Sequence, residues 1–210
     1  MEPKAFRTVR EPSYIEFEEK KSIFIGRAYP VKSEEEALAH LKEVRREHRD
    51  ATHNVYAFLL GDGTLARYSD DGEPQGTAGM PILDVLKNKK LTETAVAVVR
   101  YFGGIKLGTG GLVRAYTSSA KLALEAAGIA DVREMLVLEV RMAYSYLAKM
   151  KNLAGEFFSV ENISYTDSIV MQLSTEPENE ERLKAFLADM TAGSARIISE
   201  KVEFVKVRVI

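Results

Sequence analysis

Apolar residues recur at helical spacing at Ala37, Leu38, Leu41 and Val44, and Ser33 followed by Glu36 forms a capping box, so the pattern predicts a helix over residues 33–47. The preceding segment 22–31 (SIFIGRAYPV) reads as a strand. Residues 54–60 and 64–69, joined by a Gly-Asp-Gly turn at 61–63, read as a hairpin. Pro81 suits the first position of a short helix reaching about Lys89. Residues 94–102, with Val96, Val98 and Val99, form a buried strand, and a helix runs from Gly111 to a glycine cap at Gly128.

From Met135 onward the texture changes. Strands are expected at 135–142, 160–166, 168–175 and 196–209, and helices at 145–158 and 177–191. Pro177 stands at one helix start and Gly193 just past its end, as in a genuine helix. The order β-α-β-β-α-β is the split βαβ, ferredoxin-like arrangement. A boundary near Glu134 divides an α+β domain, residues 1–134, from a ferredoxin-like domain, residues 135–210.

The length of 210 residues allows one large or two small domains with a real core. At 46% apolar and 29% charged residues the chain falls in the globular range, which excludes disordered and fibrous classes. A formal net charge of −2 means that any nucleic-acid affinity must come from a local patch. The absence of cysteine excludes disulfide scaffolds, thiol nucleophiles, thiolate zinc sites and iron–sulfur clusters. The opening segment is charged from its second residue, and the apolar run at 95–99 is far short of the ~20 residues that span a bilayer. A cytoplasmic protein without membrane contact is therefore expected.

Ten of the 14 glycines fall between Gly61 and Gly111, where backbone must bend or approach something closely. In the segment 100–114 (RYFGGIKLGTGGLVR), Gly103, Gly104, Gly108, Gly110 and Gly111 let backbone amides converge, and the helix that follows adds its positive dipole end. No acidic residue lies between Glu93 and Glu125, whereas Arg100, Lys106, Arg114 and Lys121 do, with Arg114, Ser118 and Lys121 on one helical stripe. An anion, phosphate above all, suits this chemistry. The alternative is a tight turn with close helix–sheet packing and solvated side chains. The segment lacks the P-loop pattern and the third glycine of a dinucleotide fingerprint.

The second segment, 69–81 (SDDGEPQGTAGMP), carries Asp70, Asp71 and Glu73, oxygen donors of the kind Mg²⁺ accepts. An acidic turn whose aspartates bond their own backbone is the favoured alternative, and a further use is to position Arg100 or Lys106 by ion pairing. Of the histidines, His40 and His48 belong to a charged helix and are expected in solvent. His53 is the one in a candidate site, either as a general base or as a hydrogen-bonded structural residue. The ferredoxin-like part carries Tyr144, Tyr146 and Tyr165, which suit core or edge packing better than base stacking.

Together, residues 70–79 (DDGEPQGTAG) and 100–116 (RYFGGIKLGTGGLVRAY) resemble the two hallmark segments of the YigZ/IMPACT family. The resemblance covers essentially the whole chain. It implies an N-terminal α/β sandwich similar to domain two of ribosomal protein five and a C-terminal domain similar to the fifth domain of the translocation elongation factor. Eukaryotic relatives are regulators of translation that engage the ribosome-associated activator of the amino-acid-starvation kinase. They carry a different accessory domain, so that partner is not carried over to this chain. Where relatives often place a further His or Cys after the position of His53, this chain has Asn54 and Val55.

The expected function is that of a non-enzymatic, translation-associated module. Its partners would be RNA or the ribosome, or a translation-regulating protein, and no cofactor is expected. The phosphate-binding candidates are Arg100, Gly103, Gly104, Lys106, Gly108, Thr109, Gly110, Gly111, Arg114 and Lys121. His53, Asp70, Asp71, Glu73, Gln75 and Thr77 belong to the second motif loop. The alternatives are a nucleotide- or phosphosubstrate-binding enzyme with a Mg²⁺-assisted acidic loop, and a protein–protein adaptor. Fold alone does not choose among them.

Overall fold

The computed structural model describes residues 5–61 and 63–208. Asp62, inside the turn expected at 61–63, and Val209, the end of the last expected strand, lie outside the described residues. The chain forms two compact units, one of residues 6–132 with 206–208 and the other of residues 133–205 with Ala5.

In the first unit, β1 (Phe6–Val9) and β2 (Ile15–Glu19) precede β3 (Ser22–Pro30), α1 (Glu34–Glu47), β4 (His53–Leu60), β5 (Leu65–Ser69), α2 (Gly79–Asn88), β6 (Thr94–Tyr101) and α3 (Thr109–Ala127). The two opening strands are only four and five residues long, the second rich in glutamate, and the apolar pattern did not signal them. One antiparallel sheet has the order β2-β3-β6-β4-β5. Its centre, β6 (TAVAVVRY), is buried from Thr94 to Arg100 because both faces are covered. Val96 and Val98 join Phe24, Ala28 and Val55 against α2 and α3. Ala95, Ala97 and Val99 join Ile25, Tyr29 and Phe58 against α1. The result is a three-layer α/β/α sandwich.

The helix starts follow from their caps. The Ser33 hydroxyl accepts from the Glu36 N–H at 3.2 Å, while the Glu36 carboxylate accepts from the Lys32 N–H at 2.7 Å, one residue earlier than a reciprocal box requires. Helix α2 begins at Gly79 rather than Pro81, because the Asp70 carboxylate accepts from the N–H groups of Ala78 and Gly79 at 3.1 and 2.8 Å. Helix α3 begins two residues before Gly111 and ends on Gly128.

Strand β7 (Ile129–Met142) starts earlier than the expected 135, since its first residues pair antiparallel with β1, Phe6 opposite Val132. The second unit continues with a 3₁₀ turn (Tyr144–Tyr146), α4 (Leu147–Leu153), β8 (Ser159–Tyr165), β9 (Ile169–Thr175), a 3₁₀ turn (Pro177–Asn179), α5 (Glu180–Thr191) and β10 (Arg196–Arg208). The sheet order β10-β7-β9-β8 is that of a ferredoxin-like fold. Helix α4 stops well short of the expected residue 158. Phe157 and Phe158 leave it to pack edge-on to one another, centroids 5.2 Å apart, and against Phe186. Leu138, Met150, Met171 and Leu183 sit at the centre of this unit's core. Among the described residues, no helix is long and apolar enough to cross a membrane.

Leu86 of α2 is fully buried beneath the first unit's sheet. Leu86→Ala is expected to lower the unfolding free energy by roughly 2–5 kcal/mol in urea titrations, and a change below about 0.5 kcal/mol would contradict this packing.

Candidate functional site

The two motif segments meet at one carboxylate. Glu73, in the loop between β5 and α2, places Oε1 where Nη1 of Arg100 donates at 2.6 Å and the hydroxyl of Tyr116 donates at 2.8 Å. Nε2 of His53 stands 3.7 Å from the same oxygen. Arg100 leaves the end of β6 toward α3, and its Nη2 donates to the Ser22 hydroxyl at 3.3 Å. Its guanidinium lies over the rings of Phe24 and Phe102, 5.6 and 5.4 Å from their centroids. Arg100 is 5% and Glu73 8% exposed, so the pair is formed out of water. Burial first, and then the Glu73 carboxylate, push the Tyr116 hydroxyl far above the usual tyrosine range, which keeps it a donor. Arg100 therefore faces the interior, which corrects its assignment as a phosphate contact.

The three carboxylates of the acidic loop point to different partners. Asp70 caps α2 through Oδ1, and its Oδ2 accepts from the Gly76 N–H at 2.9 Å. Asp71 accepts from the Asn54 N–H at 2.6 Å and pairs with Arg45. Each is thus engaged by the protein, and among the described residues no cluster of three or more His, Asp or Glu side chains could hold a metal ion. Asp70 thus has the backbone-bonded role favoured for this turn over a Mg²⁺ site. The Thr77 hydroxyl donates to the Pro74 carbonyl at 2.6 Å, and Gln75 is exposed.

His53 bonds the Asp71 carbonyl through Nδ1 at 2.8 Å. A carbonyl only accepts, so Nδ1 carries the hydrogen and the ring is held as a structural donor. His40 and His48, expected in solvent, are half-buried. His40 stacks on Tyr29 with centroids 4.4 Å apart, and Nδ1 of His48 lies 3.0 Å from the Tyr101 hydroxyl.

The glycine loop does two things at once. A Cβ at Gly103 would sit 1.9 Å from the Lys21 carbonyl oxygen, so this glycine is required for the loop to pack against the β2–β3 turn. Gly108 enters α3 with φ +73°, and no side chain caps that end. Gly104, Gly108, Thr109 and Gly110 are exposed, whereas Gly111 is half-buried against Leu107. Lys106, Arg114 and Lys121 are exposed and have no ionic partner among the described residues.

Close packing at Gly103 brings in two cations that the sequence reading missed. Lys20 and Lys21, both exposed, form the β2–β3 turn with φ +47° and +63°. A two-residue hairpin of this kind ordinarily carries Asn-Gly, and the left-handed region costs a lysine roughly 1–2 kcal/mol. The signal was the Lys-Lys pair directly after Glu18 and Glu19, but it could be placed only once β2 was seen.

The chain is similar to known proteins over most of its length. The Impact N-terminal domain family matches residues 20–124, and a domain of unknown function, DUF1949, matches residues 140–194. IMPACT family member YvyE of Bacillus subtilis is 34% identical over 92% of this chain and 90% of its own length. IMPACT family member YigZ of Escherichia coli is 34% identical over 86% of this chain and 90% of its own length. A crystal structure of a hypothetical protein is 31% identical and covers 97% of this chain and 98% of its own, with a TM-score of 0.60. The chain belongs to the IMPACT family.

Glu73→Ala would leave the Arg100 guanidinium buried without its anion, an expected loss of about 3–5 kcal/mol in urea unfolding. The double variant Glu73→Leu with Arg100→Met is expected to lose clearly less than the sum of the two single changes. Strict additivity would contradict the pairing.

Proposed function

Proceeding from membership of the IMPACT family, we propose that this chain is a translation-associated, non-enzymatic module that binds RNA through its first unit. The observation that carries the reading is the set of exposed cations without ionic partners: Lys20 and Lys21 on one turn, Lys106 on the glycine loop, and Arg114 and Lys121 on α3. Arg114 and Lys121 are separated by about 10 Å along the helix axis, so they can meet different phosphates of one strand. The exposed backbone of Gly104, Gly108 and Thr109 and the uncapped start of α3 favour a phosphate beside Lys106. The regulatory role in translation is the one that the family resemblance implies, in the cytoplasm. The Mg²⁺-assisted enzyme alternative has less support, since Asp70, Asp71 and Glu73 each accept from protein donors.

If about four of these cations neutralise phosphates of a single strand, log affinity falls with log salt at a slope of about −3. That corresponds to a loss of about fifty-fold between ~50 and ~200 mM salt. Fluorescence anisotropy with a labelled RNA oligonucleotide reads this directly. Lys106→Glu with Arg114→Glu is expected to abolish binding with the fold retained, and a flat salt profile or no RNA binding would reject the reading.

A further inference from the structure

Phe102 is 47% exposed, and Ile105 beside it is 43% exposed. The ring is nonetheless held in place. The backbone N–H of Phe102 donates to the Thr52 hydroxyl at 3.0 Å, and the next residue, Gly103, packs against the Lys21 carbonyl. The Arg100 guanidinium lies 5.4 Å from the Phe102 centroid and 5.6 Å from that of the buried Phe24, and is itself fixed by Glu73 and Ser22. Phe102 is thus a half-exposed aromatic ring with a fixed, buried guanidinium against it. The exposed ring of Tyr14 also has a guanidinium over it, that of Arg27 at 5.4 Å, but its hydroxyl donates to the Glu16 carboxylate, an anion that disfavours a phosphate beside it; Tyr144 and Tyr165 stack on each other at 6.4 Å.

We infer that Phe102 is a stacking platform for an unpaired base of single-stranded RNA. The inference rests on the RNA-binding reading above and narrows it to unpaired strands. Charge complementarity selects the occupant. The turn of Lys20 and Lys21 packs against the residue that follows Phe102, and Lys106 lies four residues further on, all without ionic partners among the described residues. A base on the ring places its flanking phosphates among these cations. Because every base has a π-face, the platform accepts any unpaired base, while a base inside a duplex is already stacked and cannot reach it. Rigidity of the ring limits the ordering that binding requires.

The chain contains no tryptophan, so Phe102→Trp introduces a single indole reporter. With a ten-nucleotide oligouridylate or oligoadenylate, its fluorescence is expected to quench saturably, and a blunt-ended RNA duplex with the same number of phosphates is expected to leave it unchanged. Phe102→Ala is expected to weaken binding of the single strands by about 5- to 140-fold, with duplex binding and the salt slope retained. Salt-dependent RNA binding that is equal in wild type and Phe102→Ala, with no quenching, overturns the stacking inference while leaving the cation reading intact. Ribosome binding that needs Phe102 although oligonucleotides do not quench the indole would assign the ring to a protein contact and also overturn it. Absence of binding to either RNA by the wild-type chain overturns both readings.

Discussion

A single buried ion pair, Glu73 with Arg100, organises the part of the molecule to which function is assigned here. Its partners lie 27 residues apart and belong to the two motif segments, and both are removed from water. Such a pair is a weak source of net stability, because desolvation offsets most of the attraction. Its value is positional. The carboxylate has few favourable places other than under Arg100 and Tyr116, so the acidic loop closes on the end of β6 and the face of α3. Arg100 in turn supports Phe102, and the chain beyond it turns at Gly103 against Lys21.

That arrangement separates charges used to build the site from charges left for a ligand. Glu73, Asp70, Asp71 and Arg100 are consumed internally, while Lys20, Lys21, Lys106, Arg114 and Lys121 remain in solvent. In a chain of net charge −2, a local excess of unpaired cations steers a polyanion without making the whole molecule basic. The left-handed lysines at 20 and 21 keep a conformation that glycine or asparagine would adopt at less cost, and such strain is common at functional positions.

Much of the fold was legible because the dominant signals were local. The helical spacing from Ala37 to Val44, the valines of β6 and the Pro177 and Gly193 punctuation each correspond to the observed element. Strands β1 and β2 were not legible, since they are short and stabilised by pairing with distant partners. The site was legible in its residue types and less so in its geometry. The residue types of the acidic loop suggest ion pairing with Arg100, but sequence spacing could not show that Arg100 points inward. The contribution of Lys20 and Lys21 depends on strand register, and the exposure of Phe102 depends on where β6 ends.

The most direct measurement is the RNA affinity of Glu73→Gln, with folding verified by its unfolding transition. Bulk electrostatics alone would make this variant bind more tightly, because it deletes an acidic charge and loosens a cation near a polyanion site. If the buried pair positions the loop, Phe102 and the surrounding lysines, affinity falls several-fold instead. Binding that is unchanged or tighter would contradict the account.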